Sequence, residues 1–136
     1  MNITEAINAL VKKLLADAEP GQYDIDNITI DNIRYYINCG YCEEFAGTIV
    51  KQIEGAEAYW GDNFDADFWG VDIEDWVVDH AAYHCFIVYK GRYYDSEAPE
   101  GVDHPKDLPL YQKKQEFAKT GKWNWQDENF YAKVAS

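Results

Sequence analysis

A chain of 136 residues with 47% hydrophobic and 16% aromatic side chains has material for one packed core, since a domain of this size buries roughly 65–70% of its unfolded surface. Five Trp, eleven Tyr and six Phe argue against intrinsic disorder. Twelve basic against twenty-five acidic residues leave a formal charge of −13, which repels a phosphate backbone and sets direct nucleic-acid binding aside, while attracting basic peptides or the basic groove of a nucleic-acid-binding protein.

The chain begins with a helical stripe over residues 2–18, where Ile3, Ile7, Leu10, Val11, Leu14 and Leu15 recur on one face and Asn2 and Glu5 have the spacing of a capping box. Acidic residues are interspersed here and no basic region precedes an apolar run, so no signal peptide is expected. No stretch approaches the ~20 apolar residues of a membrane span, and the expected location is the cytoplasm. Pro20 and Gly21 stop the helix, and residues 23–30, rich in Asp and Asn, read as a loop or short strand.

Residues 42–54 form the next predicted helix: Phe45, Ala46, Ile49, Val50 and Ile53 share a face and Gly55 supplies the stop. Cys42 falls in its first turn on the core-facing side. Residues 56–60 read as a strand, and the acidic, aromatic segment after them as a long loop with a short helical turn. Two antiparallel strands then flank a two-residue turn at Lys90-Gly91. After Gly101 a proline-containing connector, with His104 expected in solvent, leads to a short helix over residues 110–119 ended by Gly121. The tail reads as a last strand or an aromatic anchor. The whole, residues 1–136, is expected to be a single α+β domain. Most of Trp60, Trp69, Trp76, Trp123 and Trp125 belong to its core, the alternative being a substrate groove.

The hairpin brings chemistry together. A turn that pairs Tyr89 with Arg92 sets Val88 opposite Tyr93, Phe86 opposite Asp95 and His84 opposite Glu97, all on one face of the sheet. Asp95 is then the diagonal neighbour of His84, and Glu97 the second candidate to orient it. A nucleophilic thiol needs a lowered pKa, which a helix N-terminus and a nearby imidazolium provide, together with a third group that fixes the imidazole. Cys42, His84 and Asp95 supply those three roles. Glu43 and Glu44 oppose the thiolate, so His84 has to outweigh them. His80 is the rival base; His84 is preferred because it opens the apolar strand on the face of Asp95.

Other readings of these residues are plainer. A cysteine taken alone is more often a buried structural thiol. Cys39 and Cys42 form a C-x-x-C pair that His84 and Cys85 would complete as a zinc site, but adjacent strand residues point to opposite faces, and no metal or other cofactor is expected. Cys39 is then a loop residue or a partner for a reversible disulfide with Cys42.

The segment GYCEEFA resembles the nucleophile helix of the transglutaminase-like and papain-like cysteine hydrolases, and HCFIVYKGRYYDSEAPEGV resembles their strand with the catalytic His, tight turn, and strand ending in the catalytic Asp. The resemblance spans about residues 38–101. It implies a papain-like or transglutaminase-like topology, a nucleophile helix packed on a small antiparallel sheet, with Cys42 as nucleophile, His84 as general base and Asp95 as orienting acid. Similar short proteins occur in bacteriophages and bacteria. Where papain has an oxyanion-hole glutamine this chain has Tyr36, so the backbone N–H of Cys42 with Tyr36 or Asn38 is the expected oxyanion site. The implied activity is a cysteine peptidase, amidase or deamidase, or an acyltransferase, working on a peptide or protein substrate, which the charge suggests is basic. The rival reading is a non-catalytic acidic inhibitor or DNA mimic on the same fold.

Overall fold

The computed structural model describes residues 2–19, 28–70 and 83–120. Expectations that fall on His80, Trp76, Trp123 and Trp125, on the stop at Pro20 and Gly21 and residues 23–27 of the loop after it, on Gly121 and on the tail lie outside those residues. The fold is α+β, with helices arranged about a four-stranded antiparallel sheet.

Helix α1 (Ile3–Asp17) starts as its sequence requires: Asn2 Oδ1 accepts from the Glu5 N–H at 2.8 Å, and the Asn2 amide donates to Glu5 Oε1 at 2.7 Å. These bonds satisfy a backbone donor that the first helical turn leaves without a partner. Ile3, Ala6, Ile7 and Val11 face inward. Helix α2 (Ile30–Gly40) was not expected from the sequence. Thr29 caps it, its hydroxyl accepting from the Asn32 N–H at 3.2 Å, and Ile33 and Ile37 fill the core.

Helix α3 (Cys42–Gln52) follows α2 after the single residue Tyr41. The Tyr41 N–H closes the last turn of α2 on the Ile37 carbonyl at 2.8 Å, and the Tyr41 carbonyl receives the Phe45 N–H at 2.9 Å. With φ −126° and ψ 16° Tyr41 leaves helical geometry, so the axis turns there and the thiol is set at the corner.

Strands β1 (Glu57–Trp60), β2 (Cys85–Tyr89), β3 (Arg92–Asp95) and β4 (Ala98–Val102) form a meander in that order. Lys90 and Gly91 have φ of 51° and 76°, the two positive angles of a hairpin turn that matches strand twist, and Tyr89 pairs with Arg92 and Val88 with Tyr93 as the turn predicts. Strand β4 was not expected: the second hairpin strand does not run on to face His84 with Glu97 but ends at Asp95, the chain reverses again at Ser96-Glu97, and the register shifts between the Asp95–Ala98 and Tyr93–Val102 pairs. Pro99 is tolerated because β4 is an edge strand.

The sheet is covered on both faces. Cys85, Ile87 and Tyr94 pack with Val11, Ile33, Ile37, Phe45 and Ile49 of the three helices. On the other face Phe86, Val88, Tyr93 and Ala98 meet Trp69 of the short helix α4 (Ala66–Trp69) together with Leu108 and Tyr111. Tyr111 belongs to α5 (Pro109–Thr120). His104 is not in solvent as expected: its ring stacks on Phe68 at 4.5 Å, Nε2 donates to the Phe68 carbonyl at 2.7 Å, and Nδ1 accepts from the Lys106 N–H at 3.0 Å. No helix among the described residues is long and apolar enough to cross a membrane.

Candidate active site

Three elements meet at Cys42, the first residue of α3. The side chain is partly buried against the helical core, and its sulfur accepts the backbone N–H of Cys85, at the start of β2, at 3.4 Å. His84 precedes β2. Its Nε2 lies 2.9 Å from Asp95 Oδ2, with both side chains 2% exposed. A carboxylate only accepts, so Nε2 carries the proton and Nδ1 is the basic nitrogen. Nδ1 is buried and makes no hydrogen bond of ordinary geometry, while the Cys42 thiol is near enough for ring and sulfur to shift each other's ionisation.

Asp95 is held as firmly as it holds the ring. Its Oδ1 accepts the backbone N–H groups of Glu97 and Ala98, both at 2.9 Å, so the β3–β4 turn fixes the carboxylate and leaves Oδ2 for the imidazole. The same local bonds explain why an Asp at a strand end turns the chain. Tyr111 from α5 stands edge-on to the His84 ring at 5.6 Å and Phe86 lies at 6.0 Å, walling the imidazole off from water.

The electrostatics follow from these contacts. Burial pushes the Cys42 thiol up, but the neighbouring His84 ring, the Cys85 N–H, the charge of His84 and the Glu43 N–H together bring it below its ordinary value. Burial alone would lower the pKa of His84; the hydrogen bond to Asp95, the neighbouring Cys42 sulfur and the charges of both raise it to about 9. Each partner favours the charged form of the other. Cys85 contrasts with Cys42, since burial, reinforced by the charges of Cys42 and Glu43, drives its thiol up to about 12.

The other candidate residues stand elsewhere. Asn38 is buried with its amide committed: Nδ2 donates to Glu97 Oε1 at 2.8 Å and Oδ1 accepts from the Ser96 hydroxyl at 2.9 Å. The side chain is thereby tied to the Ser96-Glu97 turn. Tyr36 packs against the helical core, its ring edge-on to Tyr35 at 5.6 Å. Glu97 does not orient His84; its other oxygen is paired with Lys113 Nζ on α5, and both side chains are shut off from solvent. Cys39 is an exposed free thiol, and no cluster of three His, Cys, Asp or Glu side chains suited to a metal exists among the described residues.

Lys113, Ser96 and Tyr111 were missed by sequence reasoning. A usable signal existed for Lys113, which sits between Leu110 and Phe117 at helical spacing, a lysine inside an apolar stripe. Comparison with known protein families, characterised proteins and solved structures returns no match for this chain.

Proposed function

We propose that this protein is a cysteine-dependent hydrolase or acyltransferase acting on an amide or isopeptide bond, with a papain-like or transglutaminase-like arrangement of its helix and hairpin. The observation that carries the reading is the seating of the Cys42 sulfur on the backbone N–H of Cys85, next to a buried His84 whose ring is held by an Asp95 carboxylate with its second oxygen saturated by backbone N–H groups. A structural cysteine needs no such alignment.

In the proposed reaction the Cys42 thiolate attacks the carbonyl carbon and forms a C–S bond as the oxygen takes up negative charge. His84 then gives its Nδ1 proton to the leaving nitrogen as the C–N bond breaks, leaving a thioester. Water, or an amine in a transferase, attacks the thioester while His84 takes back a proton, and the thiolate departs. Asp95 keeps Nε2 protonated and turns Nδ1 toward the reacting atoms throughout. Backbone N–H groups in the first turn of α3 are the natural oxyanion donors, because Asn38 is already engaged. The formal charge of −13 favours a basic peptide or protein as substrate.

The test is the pH dependence of iodoacetamide labelling, located by peptide mapping, on the wild type and on His84→Ala. Fast labelling of Cys42 below about pH 7, slowed in the variant, is the expected result. Slow labelling in both, with an ordinary thiol profile near ~8.5, would reject the enzyme and turn attention to an acidic binding protein.

A further inference from the structure

The chemistry above leaves a second set of buried polar groups unused. Asn38 and Glu97 are joined at 2.8 Å, and the single Ser96 hydroxyl proton is shared between Asn38 Oδ1 at 2.9 Å and the Arg34 carbonyl at 2.6 Å. The Arg34 guanidinium returns a bond to the Ser96 carbonyl at 2.6 Å and reaches Asn8 Oδ1 on α1 at 2.8 Å. Lys113 pairs with Glu97, and its ammonium lies 4.7 Å from the centre of the Tyr35 ring.

The placement of these residues is the point. Ser96 and Glu97 directly follow Asp95; Asn38 lies in the last turn of α2, four residues before Cys42; Lys113 is on α5, two residues from the Tyr111 that covers His84. One cluster thus joins the segment ahead of the nucleophile, the turn that holds the acid and the helix that walls in the base. A buried ion pair is a poor source of stability, since desolvation offsets the attraction and apolar residues of the same size often do as well. What such a pair supplies is directional restraint, because its partners hold only in one geometry.

We propose that Asn38, Ser96, Glu97 and Lys113 are positioning residues, forming a clip that holds the Asp95 turn against the α2–α3 corner and so keeps thiol and imidazole within reach. The inference rests on Cys42 being an activated nucleophile. Glu97 acts through the turn and not on His84, its two oxygens being occupied by Asn38 and Lys113. The titratable groups facing the clip are Asp95 on the same turn, Tyr35 and Cys39 from α2, and Lys113 with Lys114 from α5.

The experiment compares wild type, Ser96→Ala and Lys113→Met as full chains, measuring mapped iodoacetamide labelling of Cys42 from about pH 5 to about pH 10, at a temperature where circular dichroism shows each folded. Displacement of reacting groups by ~1 Å costs up to about a hundredfold, so a loss of about tenfold near neutral pH is expected, with the acid limb moved toward the ordinary thiol value. Variants that are folded, less stable, and labelled with the wild-type rate and limb overturn the clip, because a structural role alone lowers melting temperature without moving the profile. If Lys113→Met does not fold, Ser96→Ala decides, since it removes one hydroxyl and no charge. A wild type that labels like an ordinary thiol brings down the nucleophile reading and the clip with it. A wild type that labels fast beside unaffected variants brings down the clip alone.

Discussion

At the scale of single residues, the ionisation of His84 is the property that most constrains behaviour. Its pKa is raised to about 9 in the fold against roughly 6.5 in an unfolded chain. A raised base binds its proton more tightly when folded, so its contribution to stability is fully present below about pH 6.5 and is lost as pH rises through about 9. Cys42 runs the other way: its lowered value stabilises the fold above the ordinary thiol range, and that contribution is lost as pH falls through the folded value. Alkylation of Cys42 should therefore reach its plateau at a lower pH than an ordinary thiol does and change again near the His84 limb. Asp95→Asn tests the source of that limb. It removes the charge that supports the imidazolium while retaining a side-chain oxygen for the Glu97 and Ala98 N–H groups. The alkaline limb should move down, measured by the same labelling profile; a limb left near 9 would show that Asp95 does not govern His84. The meeting of His84 and Asp95 was legible in the sequence because a two-residue turn fixes which side chains share a face, and Cys42 was legible from its place in the first turn of a helix. The commitment of Asn38 was not, because it depends on Ser96, Glu97 and Lys113 arriving from distant parts of the chain.

Among the elements, α1, α3, β1, the hairpin and α5 were readable from period, capping and turn residues, and α2 and β4 were not. Helix α2 carries Ile30, Ile33 and Ile37 at helical spacing, but Asn, Tyr and Asp fill the positions between them and lower its intrinsic propensity, so packing against α1 and α3 decides its state. Strand β4 holds Pro99 and Gly101, both poor strand formers, and exists because its backbone pairs with β3. Gly101 has φ +82°, and a Cβ there would lie 2.7 Å from the Tyr94 ring. Gly101→Ala should therefore lose about 1–3 kcal/mol through backbone strain and overpacking; a urea midpoint equal to wild type would contradict the register assigned to β4. At the other end of the chain, Asn2→Ala removes both halves of the α1 cap. A loss of about 1 kcal/mol is expected, read as a lower melting temperature with the labelling rate of Cys42 unchanged, because α1 holds no member of the triad.

For the whole molecule the governing quantity is charge. A formal −13 over 136 residues means that like charges repel across the surface, and this self-repulsion opposes the compact state. Added salt screens it: the Debye length falls from ~30 Å at about 0.01 M to ~3 Å at about 1 M. The urea midpoint should accordingly rise with sodium chloride before any specific ion effect enters. The same field reaches the candidate active site, where Cys42 is only partly buried and the exposed Glu43 and Glu44 lie beside it. A cationic thiol reagent should therefore approach Cys42 faster than an anionic one of equal size, and the ratio of their rates should collapse toward one at high salt. A neutral reagent such as iodoacetamide serves as control, since its rate follows the thiolate population set by the buried His84 and Asp95 and is little changed by salt. A cation preference that survives ~1 M salt would place its origin in a short-range contact and not in the molecular field. Equal rates for the two charged reagents at low salt would remove the electrostatic argument for a basic substrate and leave the proposed triad untouched, because the His84–Asp95 pair and the Cys42 sulfur on the Cys85 N–H are held by short-range contacts.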